Sequence, residues 1–149
     1  MKKRGTAFWF IQGPGWLLLT YLVIAQAIPA FDYDTGVAMG TQEPVAVISE
    51  VGVAFWKGFA WGDLLVYIPL LGLGLFGHWN NSTWGTVTLA AALGVTIYWP
   101  IVCLAAVVSV RGAQGWQLVS ETDYWIVLPA ITAWGAWGLY SLAHKQRSV

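Results

Sequence analysis

Charge is what this chain has least of: Asp, Glu, Lys and Arg supply 9% of its 149 residues, against roughly 25% in a soluble domain. With 58% hydrophobic side chains, a water-soluble fold would have more apolar surface than it could bury, so a soluble domain is excluded. Cysteine is nearly absent as well. Cys103 stands alone, which rules out an internal disulfide and leaves a buried structural thiol as its expected state. The two histidines, His78 and His144, fall in polar segments with no second ligand at a metal-type spacing, so no metal site is expected. A formal net charge of zero says nothing about nucleic acid or acidic partners, but no basic stripe is present, and no nucleic-acid partner is expected. No phosphate loop, nucleophile elbow, cysteine pair or dinucleotide fingerprint occurs, and no cofactor is expected.

What is present is four long apolar blocks, at about 16–31, 53–76, 84–110 and 124–143. Each can cross a hydrocarbon layer of about 30 Å as a helix. Transmembrane strands would alternate apolar and polar residues, and stretches such as Leu89 to Leu93 or Leu70 to Phe76 do not. Because lipid cannot satisfy an unpaired backbone amide, the expected fold is an all-α four-transmembrane-helix bundle forming one domain over residues 1–149. Gly13-Pro14-Gly15 reads as a break before the first span, with a short interfacial entry ahead of it. The basic start Met1-Lys2-Lys3-Arg4 resembles a secretory leader, but the run from Trp16 to Phe31 lacks a small-x-small cleavage site and is read as a retained span.

Five of the seven basic residues, Lys2, Lys3, Arg4, Lys145 and Arg147, lie at the termini, so both termini are expected in the cytoplasm. The expected location is a bacterial inner membrane. The acids Asp32, Asp34, Glu43, Glu50, Glu121 and Asp123 gather in the first and third connections, on the opposite side. Thr41 is the expected N-cap of the second helix, with Pro44 in its first turn, and that helix should begin outside the hydrocarbon. The short connection from Gly77 to Thr83 predicts that the second and third helices are antiparallel neighbours. It carries two overlapping sequons at Asn80 and Asn81, and its cytoplasmic placement predicts no glycan. Of eleven tryptophans, Trp9, Trp16, Trp56, Trp79, Trp84, Trp116 and Trp125 sit near span ends as interfacial anchors. Trp61, Trp99, Trp134 and Trp137 lie deeper and require protein or ligand partners.

Asp63 is the residue with most to say about function, because an ionisable group inside a span costs several kcal/mol unless it faces protein or water. Helical spacing sets Trp56, Phe59, Ala60, Asp63 and Tyr67 on one face, and Pro69 withholds an amide from the carbonyl of Leu65. Lys57, Tyr98 or a backbone group could pair with Asp63 for packing alone. Asp32, after Pro29 at the end of the first span, could close the same pocket from above, and Tyr98 and Trp99 flank Pro100 on the third helix. The expected ligand-binding set is therefore Asp63, Tyr67, Asp32, Trp56, Tyr98 and Trp99, with no catalytic residue assigned.

Three segments bear a likeness to a known family: Ile28-Pro29-x-x-Asp32; Phe55-Trp56-Lys57-x-Phe59-x-x-x-Asp63-Leu64-x-x-Tyr67-x-Pro69; and Trp99-Pro100-Ile101. In these, over about residues 16–142, the chain resembles the EXPERA family, which includes emopamil-binding sterol isomerases and sigma-2 receptors. The resemblance implies an occluded, lipid-accessible cavity for hydrophobic amines or sterols, with Asp32 and Asp63 as counter-ions and Tyr67 and Trp99 as walls. The isomerases also use an intramembrane histidine with glutamates, which this chain lacks, so the resemblance implies ligand binding more than isomerisation. Three readings follow: a protein that binds a hydrophobic, lipid-like ligand in an aromatic-lined cavity, with or without modifying it; a non-catalytic subunit or assembly factor of a larger membrane complex; or a small proton-coupled transporter, acting as a homo-oligomer. Partners would accordingly be membrane lipids or a hydrophobic small molecule, a membrane complex, or further copies of the chain.

Overall fold

The computed structural model describes residues 4–118 and 120–145. Five helices follow one another there: α1 (Thr6–Phe31), the short α2 (Tyr33–Ala38), α3 (Val45–Trp79), α4 (Thr83–Ser109) and α5 (Thr122–Lys145). All but α2 are long and apolar enough to cross a membrane, and no strand occurs among the described residues. The C-terminal half of α3 packs along α4, α4 along α5, and α1 closes against α3. Between them lies one core that includes Ile11, Leu18, Leu22, Leu71, Leu75, Leu89, Leu93 and Leu142. Large apolar side chains such as Leu17, Val51, Leu65 and Ile126 point outward, the arrangement a chain adopts when its solvent is lipid.

Prolines shape these helices by the carbonyls they leave unpaired. α1 begins ten residues before the expected start and runs unbroken through Gly13-Pro14-Gly15. Pro14 has no N–H for the carbonyl of Phe10, and the indole Nε1 of Trp134 on α5 donates to that carbonyl at 2.9 Å. Gly15 is a packing residue, since a Cβ there would stand 2.6 Å from the Leu75 side chain. The glycine–proline cluster that reads as a helix break is thus the place where α1 receives α3 and α5. Trp134→Phe should destabilise the protein by about 1 kcal/mol, and by clearly less in a Pro14→Ala background, where residue 14 can donate to Phe10 itself. Thermal unfolding of the four proteins of this cycle checks the coupling.

Two π-helical turns, Val23–Ala27 in α1 and Asp63–Tyr67 in α3, each run directly into an Ile-Pro pair, Ile28-Pro29 and Ile68-Pro69. A proline ring crowds the carbonyl four residues back, here Ala25 and Leu65, and widening the turn around that carbonyl relieves the crowding. The two wide turns lie against each other.

α3 starts at Val45 with Pro44, not Thr41, in the capping position. Thr41 instead closes α2, giving both its amide (3.0 Å) and its hydroxyl (3.1 Å) to the carbonyl of Gly36. The first turn of α3 is set off from the rest by Ser49, at φ 64° and ψ 170°. The first and third connections meet at this break: Gln117 donates its amide to Val47 at 2.7 Å, and Gly115 faces Ser49. Arg111 pairs with Glu121, which with the Trp125 indole holds the Glu121 carboxyl down at about 2.

At the other end of the bundle, α3 and α4 turn back on each other through Asn80–Ser82, with Asn81 in the left-handed region at φ 54°. Ser82 accepts from the amide of Gly85 at 3.2 Å and donates to the carbonyl of Gly77 at 2.8 Å. The helices touch backbone to backbone here, as the short connection predicts. His78 is not in a polar connection: it is buried in the last turn of α3, beside the Phe8 ring. Trp16 Nε1 donates to Gln12 Oε1 at 2.8 Å, which fixes the Gln12 amide so that its nitrogen serves Leu75 O at 3.1 Å and His78 Nδ1 at 3.0 Å. His78 Nδ1 is therefore an acceptor in this arrangement.

Candidate functional site

A cavity of about 290 Å³ opens between α1, α3, α4 and α5 at the end where the first and third connections lie. α1 contributes Tyr21 and Gln26, the latter on its wide turn; α3 contributes Trp56; α4 contributes Trp99 and Cys103; and α5 contributes Tyr124, Val127 and Leu128. Residues 40–43, between α2 and α3, form one wall, and Glu43 and Asp123 place two carboxylates at the rim. Among the described residues the ion pair is Arg111–Glu121, so neither rim carboxylate is neutralised by a base.

The expected face of α3 does turn inward. Trp56 and Phe59 are partly buried, and Ala60, Asp63 and Tyr67 are buried. Trp56 and Trp99 both line the cavity. Asp63 does not line the cavity; it lies one layer behind, near enough to Tyr67 and Cys103 to act on both electrostatically. It is 6% exposed, and among the described residues it has no ion-pair or hydrogen-bond partner. Neither Lys57 nor Tyr98 pairs with it. Tyr67 is occupied: the hydroxyl of Thr96 spends its proton on Ala92 O at 2.9 Å, so the Tyr67 hydroxyl donates to Thr96 Oγ1 at 2.6 Å.

Two residues of the expected set stand apart. Tyr98 is 66% exposed on the outside of α4. Asp32 is exposed and acts as the N-cap of α2, accepting from the Thr35 hydroxyl at 2.7 Å and the Thr35 amide at 3.1 Å. Those two bonds, the hydroxyl first, hold its carboxyl below the usual range. Beside it Tyr33 turns inward and donates to the carbonyl of Glu43 at 3.0 Å, and burial, then Glu43, pushes its phenol up to about 12.

The wall also contains a polar group with nothing to bond. Trp99 is 9% exposed, and its Nε1 is buried without a hydrogen-bond partner among the described residues, lying toward the Tyr67 hydroxyl but outside bonding geometry. Buried donors are nearly always satisfied; this one is turned toward Tyr67, which does not line the cavity. Tyr21, Gln26, Gln42, Glu43, Cys103, Asp123 and Tyr124 were not expected in the site. The available signal was Gln26, an amide inside an apolar block three residues before Pro29.

No family model, curated protein or solved structure matches this chain. Its chemistry has to be read from the cavity. Among the described residues no group of three His, Cys, Asp or Glu is placed to hold a metal ion. The arrangement offers an apolar and aromatic body and two carboxylates, Glu43 and Asp123, which suits an amphipathic molecule with its polar end outward.

Proposed function

We propose that this protein binds a small amphipathic molecule, apolar in body and cationic or hydrogen-bonding at one end, in the cavity between its membrane-crossing helices. The cavity itself carries the reading: its walls are aromatic and apolar, and its two carboxylates, Glu43 and Asp123, are neutralised by no base among the described residues. Trp56, Val127 and Leu128 would receive the apolar body, and Tyr21 and Tyr124 with Glu43 and Asp123 the polar end. The likeness to the EXPERA family implies a ligand of the same kind. Sterol isomerisation is not part of the proposal: the buried histidine, His78, is bonded to Gln12 at the opposite end of the bundle. We further propose that the protein resides in a bacterial inner membrane with both termini in the cytoplasm, following the basic residues at its two ends. The cavity mouth then faces the outer side.

The test is titration of the protein in lipid nanodiscs with decylamine and, separately, decanol, followed by tryptophan fluorescence. Saturable binding of either is expected, with affinity reduced about fivefold by Trp99→Ala, which removes an aromatic wall. Linear partitioning of both probes, equal to that into empty nanodiscs, would overturn the proposal.

A further inference from the structure

The wall made by residues 40–43 is tied to α1 by the side chain of Gln42. Pro29 has no amide for the carbonyl of Ala25, and Gln42 Nε2 donates to that carbonyl at 2.7 Å across seventeen positions of sequence. The fit is interlocked: a Cβ on Gly36 would stand 2.6 Å from Pro29 Cγ and 2.9 Å from Gln42 Cγ, so only glycine at 36 lets the glutamine pass between α2 and α1. On one side of Gln42 stands Gly40, whose φ of +71° favours glycine. On the other stands Glu43, whose carbonyl is held by Tyr33.

We infer that the segment from α2 to Pro44 is a cover over the cavity mouth, and that Gln42 is its catch, engaging a carbonyl that Pro29 keeps free for it. The idea rests on the cavity proposed above as a binding site and adds how that site is reached: through the outer mouth, by release of Gln42, with Gly40 as the pivot. In the closed position Gln42 takes up a carbonyl of α1 and its neighbours complete the wall. In the open position Ala25 O is left to water at the mouth, and the catch is a polar exchange of small net free energy. Gln42 is thus a positioning residue and touches access, not the ligand's chemistry.

Cys103, the single cysteine, lines this cavity and is buried, so its rate of modification by a small membrane-impermeant methanethiosulfonate reports opening without any ligand. In the full chain reconstituted in nanodiscs, Gln42→Ala should raise that rate about fivefold, the consequence of losing one hydrogen bond. Gly36→Ala should do the same by displacing Gln42, and amide exchange over residues 40–43 should quicken in both. Trp134→Phe, which removes a comparable bond from the far end of the bundle, should leave the rate unchanged. An unchanged Cys103 rate and unchanged exchange in the Gln42 and Gly36 variants would overturn the inference. An equal increase in Trp134→Phe would also overturn it, as general loosening. Failure of the amphiphile titration with acceleration in Gln42→Ala would remove the proposed ligand and leave the cover standing.

Discussion

Gly77→Val is expected to prevent α3 and α4 from closing, and with that to abolish a folded, monodisperse bundle. A Cβ at 77 would lie 2.4 Å from the Cα of Gly85, and one at 85 would lie 2.2 Å from the carbonyl carbon of Gly77. One turn back, a Cβ at Gly74 would meet the Cα of Leu89 at 2.7 Å. These are backbone atoms, so no side-chain rotation makes room, and the turn at Asn80–Ser82 is too short to let the helices slide apart. In lipid, close backbone approach is a main source of helix association, and here it joins the two spans with the largest shared interface. Gly77→Ala should cost about 3 kcal/mol, the upper end for overpacking, and Gly77→Val more. Gly94→Ala, where an added Cβ meets nothing within 4 Å, should be neutral or stabilising by up to about 1 kcal/mol. Unfolding in mixed detergent, followed by circular dichroism, distinguishes the two sites. Equal midpoints for Gly77→Ala and Gly94→Ala would mean that the helices do not cross where they are placed.

Asp63→Asn has the second large effect, and it should act in opposite directions on stability and on function. Asp63 is almost wholly buried without a partner among the described residues, at a depth where a charge is costly. The amide keeps the shape and removes the ionisable group, so the bundle should become more stable by about 1–2 kcal/mol. Affinity for decylamine should fall about tenfold or more through loss of a carboxyl able to ionise behind Trp99 and Cys103 when an ammonium binds, while affinity for decanol should change little. The pair of measurements separates the readings. Loss of amine binding with a gain in stability supports the ligand site. Unchanged binding with proton-dependent flux in vesicles, itself abolished by Asp63→Asn, would point to a proton-coupled transporter.

The helical architecture was legible because the apolar blocks are long and the charges few, and lipid leaves a chain of that kind little choice. Span ends were less legible. Gly13-Pro14-Gly15 looks like a break to any local rule, and only a partner from α5 and a neighbour on α3 explain why the helix continues. Thr41 and Pro44 have the right residue types for a helix start, yet the hydroxyl finds Gly36 nearer. Asp63 was legible as an inward-facing group by its cost in lipid. Its distance behind the cavity wall was not, because the wide turn at Asp63–Tyr67 rotates that face by an amount no 3.6-residue periodicity contains. The roles of Tyr21, Gln26 and Tyr124 depend on which helices sit side by side, and that order is carried by contacts between residues far apart in sequence.

The bond from Trp134 to Phe10 joins positions 124 residues apart, and this separation has a bearing on biosynthesis. A ribosome delivers α1 before α5, so the Phe10 oxygen lacks its protein donor until the indole of Trp134 emerges. The first helix can therefore enter the bilayer early but reaches its final seating only after the last has arrived, so that nascent chains stalled before α5 should remain loosely assembled and open to quality-control proteases.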